Sequence, residues 1–106
     1  MEMIMLRFVL PLAALLAATP AAAQSADGQL VRDICLAEAR ARSVDIGATD
    51  VVLGEVRRLS ASAGGTGMIE AAVSVVTRDG RGQERSARRQ LKCETRDGQV
   101  IGFRMD

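Results

Sequence analysis

The sequence has no histidine, tryptophan or tyrosine, and only two phenylalanines and two cysteines among its 106 residues. A cysteine or serine nucleophile usually needs a histidine to accept its proton, and no serine lies in a G-x-S-x-G elbow. A metal centre built on two thiolates would need further soft ligands, and only carboxylates remain. These absences argue against nucleophilic catalysis and against a metal centre, and we expect no cofactor.

The apolar N-terminus has the pattern of a secretory signal peptide. Arg7 precedes an apolar run over residues 8–18, and three alanines occupy positions 21–23. The apolar run is short for an anchor that must cross ~30 Å of hydrocarbon, and small residues before a cleavage point suit signal peptidase. We therefore predict cleavage after Ala23, a periplasmic or secreted protein without a stable membrane span, and a single mature domain over residues 24–106.

The charge of the chain is nearly balanced, with 14 basic and 13 acidic residues. A nucleic-acid-binding domain is usually strongly basic, so we expect no nucleic-acid partner. A domain of this size buries only about 60% of its unfolded surface and is marginally stable without covalent support.

Hydrophobic periodicity predicts one helix followed by four strands. Residues 27–42 form an amphipathic helix whose apolar stripe contains Leu30, Ile34, Ala37 and Ala41, with Val31 and Cys35 on one flank. Short β-type runs separated by turn residues follow, over residues 51–61, 68–77, 84–95 and 99–105. The alternation in the first run is imperfect, which a β-bulge near Gly54 would reconcile. The glycines at 64–67 favour a hairpin loop over a phosphate-binding loop, because no helix follows them.

The last hairpin allows two registers. A two-residue type I′ turn at Asp97-Gly98 would pair Cys93 with Gly102. A three-residue turn over residues 96–98 would instead pair Cys93 with Ile101 and Leu91 with Phe103, which places all four on one face. Since a one-residue slip inverts every side chain, we predict the three-residue turn.

These elements predict an α+β domain in which the helix packs on one face of a four-stranded antiparallel β-meander. The element order resembles the cystatin arrangement of a long helix on an antiparallel sheet. No motif of an inhibitor family is present in these residues, so the resemblance implies a topology and no functional site.

The two cysteines, Cys35 on the helix and Cys93 on the third strand, are predicted to form a disulfide. An exported chain meets an oxidising compartment, where an even number of cysteines indicates pairing. A redox-active pair would more often have the spacing Cys-x-x-Cys. The bridge would join the helix to the sheet and support a small core.

Basic residues are concentrated in the second half of the chain. Between Arg78 and Lys92 there are six basic residues and only two acidic ones. Arg88 and Lys92 share the outer face of the third strand. Arg89 has the parity of the core-facing residues, so its charged group would have to reach solvent beyond the end of the sheet or pair with Glu38. Arginine side chains suit carboxylates and phosphates. The candidate anion-binding residues are therefore Arg78, Arg81, Arg85, Arg88 and Lys92.

The sequence leaves three functional interpretations open. The first is a non-catalytic binding module whose arginine-rich face contacts an anionic envelope component or an acidic protein surface. The second is a structural or stress-related envelope protein without a discrete site, whose outer charges only keep the sheet soluble. The third is a hydrolase that uses two carboxylates. The sequence does not predict an oligomeric state.

Overall fold

The computed structural model describes residues 26–106 as one helix packed on a four-stranded antiparallel sheet, as the sequence predicts. The helix, α1, covers residues 26–43 and leads into a 3-10 turn at Val44–Ile46. The strands are β1 (Ala48–Ser62), β2 (Thr66–Arg78), β3 (Glu84–Arg96) and β4 (Gln99–Met105), and they lie in the sheet in chain order. The predicted signal peptide lies outside the described residues. Within residues 26–106, no helix combines the length and apolar composition needed to cross a bilayer.

The face that α1 turns to the sheet differs from the predicted one. Val31, Cys35 and Ala39 are completely buried, whereas Leu30 is 43% exposed and Ala37 and Ala41 are exposed. The helix is therefore rotated by about one residue, or ~100°, relative to the prediction. The physical reason is the disulfide, because Cys35 can reach β3 only if it stands at the centre of the contact face.

The Cys35–Cys93 disulfide is present and joins α1 to β3, with the two Cα atoms 6.0 Å apart. Both cysteines have no exposed surface. They lie within the main core, which combines α1 with the facing sides of the strands. The bridge is therefore a core contact as well as a covalent link.

β1 contains three irregularities in its pairing with β2, one of which lies at the predicted position near Gly54. The register shifts occur between Ala48 and Asp50, between Leu53 and Val56, and between Val56 and Arg58. Each shift adds one residue to β1 and restores the apolar side chain to the core face. As a result five irregularly spaced apolar residues of β1 oppose the core-facing residues of β2, in the pairs Ala48–Thr77, Val51–Val75, Leu53–Val73, Val56–Ala71 and Leu59–Ile69, while Val52 opposes Ser74 and is 48% exposed.

The predicted register of the last hairpin is wrong. The turn has two residues, Asp97 and Gly98, with φ angles of 51° and 78°, as a type I′ turn requires. Strand β4 then gains one extra residue, Ile101, so that Cys93 opposes Phe103 rather than Ile101. Phe103 shares the face of Cys93, as expected, while Ile101 is 54% exposed. The chain therefore forms the favourable two-residue Asp-Gly turn, and the bulge at Ile101 returns Phe103 to the core face.

Candidate functional site

The turn between β2 and β3 and the first half of β3 are exposed, although the inner face of β2 beside them is buried at Val73 and Val75. Every residue from Arg81 to Gln90 is exposed. We call the five arginines of this hairpin the arginine end: Arg78, Arg81, Arg85, Arg88 and Arg89.

The two acidic residues of the hairpin are engaged locally. Glu84 Oε1 accepts a hydrogen bond of 3.0 Å from Arg78 Nη2, across the last pair of β2 and β3. Asp79 Oδ1 accepts the backbone N–H groups of Arg81 and Gln83, at 2.9 and 3.0 Å, and so shapes the turn. Neither carboxylate approaches the other arginines of the hairpin within ion-pair distance.

Four arginines of the arginine end therefore have no ion pair among residues 26–106: Arg81, Arg85, Arg88 and Arg89. Arg88 lies on the outer face, opposite Ser74, and Arg85 and Arg89 lie on the inner face, opposite Thr77 and Val73. Arg89 is exposed although Val73, its cross-strand partner, is buried, so the burial of the inner face at this end reaches β2 but not β3. Glu38, the acid considered for it, instead bonds Arg42 at 2.9 Å.

Lys92 belongs to a different part of the surface. It lies four residues from Arg88 along β3, ~13 Å away, and its Nζ is 3.8 Å from Glu70 Oε1 on the neighbouring strand. The structure thus brings together four of the five candidate residues, Arg78, Arg81, Arg85 and Arg88, and separates Lys92 from them.

Lys92 instead lines an outer-face cleft of about 270 Å³ together with Arg57, Arg104, Glu70 and Asp106. The sequence did not indicate Arg57 or Arg104 as neighbours of Lys92. Arg57 follows the bulge at residues 54–55, which changes the parity of β1, and Arg104 depends on the corrected β4 register, which pairs it with Lys92. The pairing pattern is the only signal that could have found them.

The acids of this cleft contact cations. Glu70 faces Lys92, and Asp106 Oδ2 accepts a hydrogen bond of 2.8 Å from Arg104 Nε. Asp106 is also 70% exposed. The described part of the chain contains no group of three acidic, histidine or cysteine side chains placed to hold a metal ion.

No protein-family model matches this sequence, and comparisons with curated proteins and with solved structures found no significant match.

Proposed function

We propose that the protein is an exported, non-catalytic binding module whose arginine end contacts an anionic partner. The observation that carries the proposal is the group of four exposed arginines without an ion pair among the described residues, on the β2–β3 turn and the exposed first half of β3. Guanidinium groups present several N–H donors in a plane and bind carboxylates or phosphates by two hydrogen bonds at once.

The distribution of charge supports this role. Residues 78–89 contain five arginines and two acids, a net charge of +3, whereas the whole chain has a net charge of +1. The rest of the chain therefore carries −2, so positive charge is concentrated at one end. A uniformly solubilising surface does not need such a separation, and a local positive field accelerates encounter with an anionic partner.

The disulfide supports the proposed localisation. Structural disulfides form and persist in oxidising compartments such as the bacterial periplasm or the cell exterior. Together with the signal pattern at residues 1–23, this favours a periplasmic or secreted protein. Mass spectrometry of the protein from the envelope fraction should show a mature N-terminus at Gln24, and an intact N-terminus would contradict export by cleavage.

The binding proposal is tested with two polyanions, polyglutamate for carboxylates and inorganic polyphosphate for phosphates. Affinity is measured by fluorescence anisotropy over a salt series for the wild type, Arg88→Glu, and the triple variant Arg81→Glu/Arg85→Glu/Arg88→Glu. The triple variant should bind at least about tenfold more weakly, because each lost charged hydrogen bond is worth ~1.5 kcal/mol or more. The ratio between the two polyanions identifies the preferred anion.

The matched control is Arg96→Glu. Arg96 is exposed on the same strand and has no ion pair among the described residues, but it lies ~26 Å from Arg88. It changes the net charge as much as Arg88→Glu does and should leave affinity within about twofold. Equal losses for Arg88→Glu and Arg96→Glu would show non-specific attraction, and would favour a structural envelope protein without a discrete site.

A further inference from the structure

The arginine end coincides with an open edge of the sheet. β4 pairs with β3 only from Leu91 to Arg96, and the backbone of Asp106 adds two hydrogen bonds to Gln90, of 2.9 and 3.1 Å. No strand among residues 26–106 lies on the β4 side of Glu84–Arg89, whereas the other side of this segment is fully paired with β2. Six residues of regular strand therefore have one free edge.

The direction in which the backbone N–H and C=O groups of this edge point can be deduced from those of Gln90. In an antiparallel strand the N–H and C=O of one residue point to the same side, and successive residues alternate. Because Gln90 directs both groups to Asp106, Arg88 and Ser86 direct theirs to the same side, where no described strand receives them. A partner strand could continue the line of β4 and pair with Arg88 and Ser86.

The charges on the edge determine which strand fits. Arg85, Arg88 and Arg89 alternate between the two faces of the sheet, against the single acid Glu84, which Arg78 already bonds. Residues 84–89 carry a net charge of +2, so the same edge of a second copy would place a net charge of +2 opposite a net charge of +2. An acidic strand gains opposite-charge cross-strand pairs on both faces, and such pairs stabilise a sheet.

We infer that the Glu84–Arg89 edge binds an extended acidic segment of another protein by strand addition. This inference rests on the proposed function and specifies its partner. For an antiparallel partner, the residues opposite Arg89, Arg88 and Arg85 are two adjacent positions and a third three residues further along. The recognised sequence is therefore acid-acid-x-x-acid in an extended conformation, in which the backbone provides affinity and the acids provide specificity.

The test uses a synthetic eight-residue peptide with glutamate at its first, second and fifth positions and threonine or valine elsewhere. One analogue carries an N-methyl group on the second residue, whose N–H would bond Arg88. The matched control carries the N-methyl group on the third residue, which lies opposite Ala87 and directs its N–H away from β3. The three peptides have equal charge and nearly equal size.

We expect the parent peptide and the control analogue to bind equally, and the second-position analogue to bind at least about tenfold more weakly. Hydrogen exchange measured by NMR should show new protection of the Ser86 and Arg88 amides when the parent peptide is added. Equal binding of all three peptides would overturn strand addition and leave anion binding intact. Failure of every peptide, with polyglutamate still bound through the arginines, would also overturn it.

The variant Ser86→Pro provides a second test on the protein side. Proline removes a backbone donor and is tolerated at a sheet edge whose N–H has no partner, so the fold and the disulfide should remain. Peptide affinity should fall about tenfold while the affinity for polyphosphate stays unchanged. Protection of Ser86 and Arg88 in a dimer of the free protein would instead identify a second copy as the occupant.

Discussion

The backbone N–H of Gly98 donates a hydrogen bond of 3.1 Å to the carbonyl oxygen of Gly65, which joins the two hairpin turns at one end of the sheet. The neighbouring N–H of Asp97 donates to Thr66 Oγ1, also at 3.1 Å. Because the β1–β2 and β3–β4 hairpins are not adjacent in the chain, these bonds close the sheet end opposite to the arginine end. Gly65 is buried in this contact.

Gly65→Ala should destabilise the protein more than Gly64→Ala does. Both glycines have positive φ, 76° and 82°, so the backbone strain of ~1–2 kcal/mol is matched. A Cβ on Gly65 would lie 2.9 Å from the N and Cα atoms of Gly98, whereas a Cβ on Gly64 would meet nothing within 4 Å. Urea denaturation should show an extra loss of about 1–3 kcal/mol for Gly65→Ala. Equal losses would mean that the two turns do not pack as described.

Removal of the disulfide should lower the free energy of unfolding by about 4 kcal/mol, because the bridge closes a loop with a sequence separation of 58. The variant is Cys35→Ala/Cys93→Ala, measured by urea denaturation. Since neither cysteine is exposed, the wild type should resist a reductant while folded and react with it after unfolding.

The control is the same double variant with added reductant, which should not change its stability. Rapid reduction of the folded wild type, at a rate independent of denaturant, would contradict the burial of the bridge.

Deletion of Ile101 should preserve the fold. Ile101 is the extra residue of β4, and without it Gly102 still opposes Glu94 and Phe103 still opposes Cys93. Only an exposed side chain and a bulge are lost, so the stability should remain within about 1 kcal/mol of the wild type. Deletion of Lys92 is the contrast, because it would move Leu91 and Cys93 to opposite faces of a regular strand. Thermal unfolding followed by circular dichroism separates the two outcomes.

The fold could be predicted from the sequence where local patterns and covalent chemistry agree. The regular alternation around Val73 identified β2, and the compartment expected from the N-terminus identified the pairing of Cys35 with Cys93. The helix face was misassigned because alanines contribute little to periodicity, so two stripes about 100° apart are nearly equivalent. The disulfide selects between them, and requiring Cys35 to face the sheet would have corrected the prediction.

The candidate site was predictable only in part, because sheet bulges do not leave a simple sequence signature. The arginines of one hairpin are local in sequence and were found together. The neighbours of Lys92 come from β1 and β4, where extra residues change which side chains share a face. The open edge depends on where β4 ends against β3, which is also a property of the register and not of composition.

The irregular pairing of β1 has a consequence for the sheet as a whole. β1 forms the other edge, and its three bulges interrupt the regular spacing that an added strand would need along its length. The proposed acidic strand therefore meets a longer regular stretch at the Glu84–Arg89 edge, of six residues, than at β1, whose longest run without a register shift is the five residues 58–62.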